Sequence, residues 1–274
     1  MTTTGARGAA AADLPRIDVK GLCKSFQLGR DTIEAVRDVT FNARRGEFLA
    51  LLGPSGSGKS TVLNMIATLL KPSAGEILID GALVVAGRAT PNVGYVFQRD
   101  ALFPWRTVND NIGYGLDLAG APKGERAERV AACVAQAGLK GFEQAYPATL
   151  SGGMRQRASL MRALIVEPQT LLMDEPFGAL DTHTKIDMHE VLLRIWDKEQ
   201  QTVVSVTHDL GEALTLADRI ILFSARPGRI KEQFAVDFPR PRDPVKVRET
   251  ARYAELYTHI WHSLGEEFAK GRSA

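Results

Sequence analysis

The chain has 274 residues, 45% of them hydrophobic, and a formal net charge of +2, so it can bury a sizeable α/β core and is not a disordered chain. The near-neutral balance also excludes a whole-molecule field that would select nucleic acid as partner. Two distant cysteines, Cys23 and Cys133, suit neither a disulfide framework nor a zinc site, and no apolar run approaches the roughly 18 residues of a membrane span or a secretory signal, which predicts a cytosolic or peripheral membrane protein in a reducing compartment.

Residues 1–14 are mostly Thr, Ala and Gly, a composition that cannot offset its ordering entropy, so a disordered tail is expected over 1–16. From Ile17 the pattern alternates over residues 17–22 and again over 36–41, predicting half-buried strands that form an antiparallel edge beside a parallel core. Phe26, between them, reads either as a core phenylalanine closing a hairpin or as an exposed aromatic face for a base; taken alone, the core reading is favoured.

Residues 48–52 are continuously apolar, a buried strand, and lead into Gly53-Pro54-Ser55-Gly56-Ser57-Gly58-Lys59-Ser60-Thr61. This is G-x-x-x-x-G-K-[ST] between a strand and a helix expected over 60–70 from Val62, Leu63, Ile66, Leu69 and Leu70. Backbone N–H groups can wrap a polyphosphate only where side chains do not intervene, which explains the three glycines. Lys59 would meet the β- and γ-phosphates, Ser60 would offer its hydroxyl to Mg²⁺, and the helix would aim its positive end at the anion. A strand over 75–81 and another over 93–97, ending at Gln98, follow.

From 99 to 167 the strand signal stops, and helices are expected over 108–118, 123–137 and 154–166, predicting a helical subdomain inserted into the core. Ser151-Gly152-Gly153 before the last of these is either an ordinary N-cap with loop glycines or a second anion-binding helix start. The core resumes with residues 170–176, an apolar strand ending in Asp174 and Glu175. Carboxylates at the end of a buried strand need solvent, a partner or a cation, and a phosphate-bound Mg²⁺ supplies one: Asp174 to hold the metal, Glu175 to polarise an attacking water. A helix over 182–199 presents Met188, Leu192, Ile195 and Trp196 to the core, and a strand over 202–207 ends at His208, where ligands bind in open α/β sheets. Strands over 219–223 and 229–236 and a terminal helix carrying Tyr253, Leu256, Ile260, Trp261 and Leu264 complete the chain.

The order 53–61, Gln98, Leu150-Ser151-Gly152-Gly153, Met173-Asp174-Glu175-Pro176, Ala179-Leu180-Asp181, His208 resembles the nucleotide-binding subunits of ATP-binding-cassette transporters, from Ile17 almost to the end of the chain. The resemblance implies a P-loop NTPase core with a mixed sheet at 17–98 and 168–236, a helical subdomain at 99–167 and a helical extension at 237–274. It implies ATP and Mg²⁺ as ligands, Phe26 stacked on adenine, and Ser60, Gln98 and Asp174 around the metal. Lys59, Glu175 and His208 become catalytic, His208 as γ-phosphate sensor, and Asp181 communicates across a dimer. Ser151, Gly152 and Gly153 match the signature segment, which closes on nucleotide held by a second copy; Met154 stands where many relatives have Gln. The stretch 97–108, with 224–230 and 239–242, is similar to the importers of nitrate, sulfonate, taurine and bicarbonate, while its Leu102-Phe103-Pro104-Trp105 reads alternatively as a generic apolar plug beneath the helical subdomain. That branch implies a place on the cytoplasmic face of the inner membrane, with Leu102, Phe103 and Trp105 touching an integral membrane permease and a solute-binding protein engaged indirectly. A soluble relative acting on a macromolecule is the alternative, but such chains carry a long coiled coil or two cassettes; a regulatory binder without turnover would not need both Glu175 and His208.

Overall fold

All five residues of β3 (Phe48–Leu52) are buried, and the chain builds outward from this strand. The computed structural model describes residues 14–90, 92–178 and 180–272. Most of the expected tail, 1–13, and Ala179 lie outside them. Arg16, placed at the end of that tail, is instead buried and donates from Nε to Thr170 Oγ1 at 2.7 Å.

Ahead of β3, β1 (Ile17–Leu28) and β2 (Asp31–Ala43) form an antiparallel hairpin, and β1 also pairs with β4 (Ala74–Ile79), beside the short β5 (Ala82–Leu83). The antiparallel part is thus a sheet of its own, in the order β2-β1-β4-β5. The second sheet runs β10-β9-β3-β8-β7-β6, from β6 (Val93–Val96), β7 (Thr170–Asp174), β8 (Thr202–Thr207), β9 (Arg219–Phe223) and β10 (Ile230–Ala235). It is parallel except for β10. Between the sheets lies α1 (Lys59–Ile66), whose Val62, Leu63, Met65 and Ile66 pack with Ile17, Val19, Leu49 and Leu51.

The helix after the phosphate loop ends four residues earlier than its apolar spacing predicts. Thr68 takes φ 64°, and the N–H groups of Leu69 and Leu70 both turn back to Asn64 O, leaving Leu69 60% exposed. Likewise the helix expected over 108–118 is two short ones, α2 (Val108–Ile112) and α3 (Tyr114–Leu118), meeting at Gly113. Next come α4 (Lys123–Gln136) and α5 (Gly152–Leu164), which share one core with the outer face of the second sheet through Leu116, Val130, Val134, Leu160 and Met161.

Helix α6 (Thr182–Glu199) buries Met188, Leu192 and Trp196 as the periodicity predicts. A helix that the periodicity did not mark, α7 (Leu210–Leu216), follows β8, capped by Asp209, whose carboxylate accepts from Glu212 N at 3.1 Å. The long α8 (Ala251–Arg272) packs Tyr253, Leu256, Ile260 and Leu264 on the same core, with Trp261 facing outward. No helix among the described residues is long and apolar enough to cross a membrane.

Candidate active site

Parallel register does the positioning. Leu52 pairs with Thr207 and Asp174 with Val206, so the residues following β3, β7 and β8 emerge side by side at one edge. Ligands collect there in open α/β sheets because loops and helix starts converge on it. The phosphate loop, Asp174 with Glu175, and His208 therefore meet although more than a hundred residues separate the first from the others.

The phosphate loop owes its shape to backbone that only glycine adopts easily. Gly56 and Gly58 have φ of 77° and 84°, and a Cβ on Gly58 would stand 2.7 Å from Ala35 O and from Val36 Cγ2. Inside the loop the Lys59 ammonium donates to Gly53 O and Pro54 O, both at 2.8 Å, and to Ser57 Oγ at 3.2 Å. Burial pulls this ammonium down to about 8, against the opposing pull of Glu175 and Asp174. An anion entering the loop would favour the charged form further and give Lys59 better partners than carbonyls.

Ser60 Oγ donates to Asp174 Oδ1 at 2.7 Å. Burial raises the Asp174 carboxyl, Glu175 adds to the rise, and the Ser60 hydrogen bond and Lys59 oppose it. A half-buried carboxylate held above its ordinary range beside a hydroxyl suits a hard cation. No group of three or more His, Cys, Asp or Glu that could hold a metal occurs among the described residues. That donor set fits Mg²⁺, which takes one or two protein oxygens and leaves the rest to water and phosphate.

Glu175 sits at φ 45°, a conformation that costs a non-glycine residue about 1–2 kcal/mol. Its backbone N–H, donating to Val206 O at 2.9 Å, and the Gly178 N–H, donating to Glu175 O at 3.1 Å, hold it there. Oε2 then accepts from Gln98 Nε2 at 3.1 Å and lies 3.2 Å from His208 Nδ1. Gln98, expected beside the metal, thus reaches the neighbouring carboxylate, and two of the expected residues converge on one oxygen of a third.

Phe26 lies on the hairpin, opposite Ile33, yet it is 40% exposed with Lys24 Nζ 5.1 Å from its ring centre. The core alternative is therefore overturned. Its ring joins the phosphate loop, Gln98, Glu175 and Arg226 around a cleft of about 470 Å³.

Other expected residues stand apart. Ser151 Oγ accepts from Met154 N at 3.2 Å as an N-cap, and Ser151 and Gly152 are exposed, away from the cleft lining. Asp181 caps α6, with Thr184 donating to it from N at 3.1 Å and from Oγ1 at 2.6 Å, and these bonds hold its carboxyl below the usual range. Leu102 is 7% exposed and belongs to the core, so it underlies the expected permease surface instead of lining it. Trp105, by contrast, is 72% exposed, and Phe103 is flanked by Trp105, Tyr114, Arg106 and Arg162.

Two groups escaped the sequence reading. Arg226 lines the cleft; it falls in the stretch 224–230 that resembles the importer branch, but nothing there marked it as a site residue. Glu212 is buried at the start of α7, and Asp209-x-x-Glu212 at a helix start could have marked it as a capping box. Burial pushes its carboxyl up to about 8, Asp209 adding and Lys185 opposing.

The ABC transporter family matches residues 36–178 of this chain. An uncharacterized ABC transporter ATP-binding protein of Methanocaldococcus jannaschii is 43% identical over 255 residues, 93% of each chain. The aliphatic sulfonates import ATP-binding protein of Bacillus cereus is 37% identical across 93% of this chain and 96% of that one. The nitrate import ATP-binding protein of Synechocystis sp. is 41% identical, with 85% and 86% covered. Among solved structures, a dimeric post-hydrolysis ATP-binding cassette bound to ADP and Pi superposes with a TM-score of 0.72 at 32% identity, covering 81% of this chain and all of that one.

Proposed function

Since this chain belongs to the ABC transporter family, as an ATP-binding subunit and an ATPase, we propose that it drives an importer of a small anion such as nitrate, a sulfonate, taurine or bicarbonate. The observation that carries the reading is the convergence of Gln98 and His208 on Glu175 beside the Lys59 loop. The import assignment is supported by the likeness to the sulfonate and nitrate relatives; with 93% of the chain covered by the former, it runs into the C-terminal helix.

In this reading Phe26 stacks on adenine, the amides of residues 53–61 wrap the triphosphate, and Lys59 exchanges its carbonyl partners for β- and γ-phosphate oxygens. Ser60, Asp174 and Gln98 would hold Mg²⁺, which when bound neutralises developing phosphate charge. Glu175, now hydrogen-bonded by Gln98, would orient the attacking water, and His208 beside it would contact the γ-phosphate. Ser151, Gly152 and Gly153, which a single chain leaves away from the cleft, complete the site from a second copy, with Asp181 at that interface. Likeness to a bacterial ABC transporter cassette that is itself dimeric supports this pairing. Phe103 and Trp105 form the docking face for an integral membrane permease, with this chain peripheral on the cytoplasmic side and a solute-binding protein engaged through the permease.

The test is uptake of labelled nitrate, taurine, an alkanesulfonate and bicarbonate by cells lacking this chain. Uptake of one of them should be lost, restored by the wild type and not by Glu175→Gln, which should still bind ATP while hydrolysing it at least about a hundredfold more slowly. Unaltered uptake of all four would refute the importer reading, and unaltered hydrolysis by Glu175→Gln would refute the role of that carboxylate.

A further inference from the structure

The turn between β9 and β10, residues 224–229, backs directly onto the phosphate loop. Gly228 donates to Ala35 O and accepts from Arg37 N, both at 3.0 Å, while Ser224 N donates to Arg229 O at 2.9 Å. A Cβ added to Gly228 would overlap the Ser57 carbonyl, so turn and loop meet backbone to backbone. Such a contact pins the turn to the loop at Gly228 and leaves residues 225 and 226 to be held by other bonds.

The pinned turn limits where Arg226 can reach. Its Nη2 lies 4.0 Å from the position of a Cβ built on Gly56, and the residue borders both the 470 Å³ cleft and a larger basic recess lined by Arg37, Arg229 and Lys231. Arg226 is exposed and has no carboxylate within ion-pair distance among the described residues. Within the cleft the only other cation among the described residues is Lys59, and Glu175 stands against it. A nucleoside triphosphate brings several negative charges to that lining, and arginine forks match phosphate oxygens.

The same turn is held from the far end of the chain. Glu267 of α8, 2% exposed, accepts from Ala225 N at 3.0 Å, and its Oε1 lies 3.2 Å from Lys231 Nζ. Lys231 also donates to Ser263 O and to Glu266, both at 2.7 Å. The residue immediately before Arg226 is thereby clamped to the C-terminal helix.

We propose that Arg226 is a second cationic anchor for the polyphosphate of the bound nucleotide, and that Glu267 positions it, making the C-terminal helix a determinant of nucleotide affinity. The proposal rests on the cleft being the ATP site. It gives the C-terminal helix a reason to be continuous with the catalytic domain, since displacing α8 would release Ala225 and with it the guanidinium.

The experiment is equilibrium binding of ATP, ADP and adenosine to the full chain at two salt concentrations. Arg226→Ala should weaken ATP and ADP roughly tenfold, leave adenosine unchanged and flatten the salt dependence. Arg226→Lys should recover part of the loss. Glu267→Ala, which removes the acceptor of the Ala225 N–H bond, should weaken the same two ligands several-fold with adenosine again unaffected, a split that a general loss of packing would not produce. Should Glu267→Ala fail to fold, Lys231→Gln, which removes one hold on the same carboxylate, takes its place. Wild-type ATP affinity in Arg226→Ala, or an equal loss for adenosine, overturns the anchor; if Lys59→Ala meanwhile abolishes ATP binding, the ATP reading itself stands. An effective Arg226→Ala with silent Glu267 and Lys231 variants overturns the role of the C-terminal helix. A wild type that binds no ATP overturns both.

Discussion

Glu212 offers a sharp test of the electrostatics behind the catalytic edge. Its side chain is buried at the start of α7, Oε1 has no hydrogen-bond partner, and burial pushes its carboxyl from an ordinary 4.5 to about 8, with Asp209 and Glu175 adding and Lys185 and Thr207 opposing. An acid raised on folding stays protonated in the native state while the unfolded chain ionises. Its contribution to stability is therefore full below about pH 4.5 and is lost as pH rises toward 8. Between pH 6.5 and 8.5 the loss works out at about 2 kcal/mol. Other groups titrate in the same window: burial lowers His189 to about 4 and Lys59 to about 8, and both add stability as pH rises. Comparison with Glu212→Gln cancels them, because glutamine matches the protonated acid in shape and does not ionise. Urea unfolding at pH 6.5 and 8.5 should show the wild type losing about 2 kcal/mol relative to the variant over that interval. Equal pH slopes for the two proteins would mean that Glu212 is ionised in the fold, and the buried-acid argument would be wrong.

Two further substitutions probe the loop and the outer surface. Gly228→Ala forces a methyl into the Ser57 carbonyl, so the turn or the phosphate loop must yield; stability should fall by about 1–3 kcal/mol with ATP affinity falling beside it, and calorimetry showing neither would refute the close approach. Trp105→Ala removes a largely exposed ring, so unfolding free energy should stay within about 0.5 kcal/mol and ATP hydrolysis by the isolated chain should not change, while uptake through the permease falls. Normal uptake in that variant would remove Trp105 from the docking face.

How much of this was legible depended on whether the signal was local. The strand, loop and first turn of α1 follow from residues 48–61 alone, because phosphate wrapping demands glycine at fixed spacing and Lys59 at the helix start. Where α1 ends did not follow: Leu69 and Leu70 keep the apolar spacing, but the chain turns at Thr68 to enter β4. Phe26 occupies a hairpin position that suits either a core or an exposed ring, and only the neighbouring loop decides it. Glu175 and His208 were visible as strand ends, yet their mutual contact comes from the adjacency of β7 and β8. Arg226 was not legible as a cleft residue, since its place is set by the distant phosphate loop, and for Glu212 the local Asp209-x-x-Glu212 pattern marks a helix start but not the burial that raises its carboxyl.

The path from the Glu175 carboxylate to the outer surface is short and made of identifiable bonds. Gln98 holds Glu175; two residues on, Asp100 accepts from Arg155 Nε at 2.8 Å, and Arg155 Nη1 donates to Leu150 O at 2.7 Å, fixing the approach to α5. Ala101 O accepts from Arg162 at 2.8 Å, and the same guanidinium lies 5.4 Å from the Phe103 ring, beside exposed Trp105. Residues 98–105 therefore touch the carboxylate, α5 and the aromatic surface within eight positions. A backbone shift at Gln98 would be carried along the same short segment to Asp100 and Ala101, and both are tied to α5 by arginines. On the proposed reading, nucleotide arriving at Lys59 competes for Gln98, and the cost of that competition is shared with the signature helix and the permease face, which is what coupling between hydrolysis and transport requires.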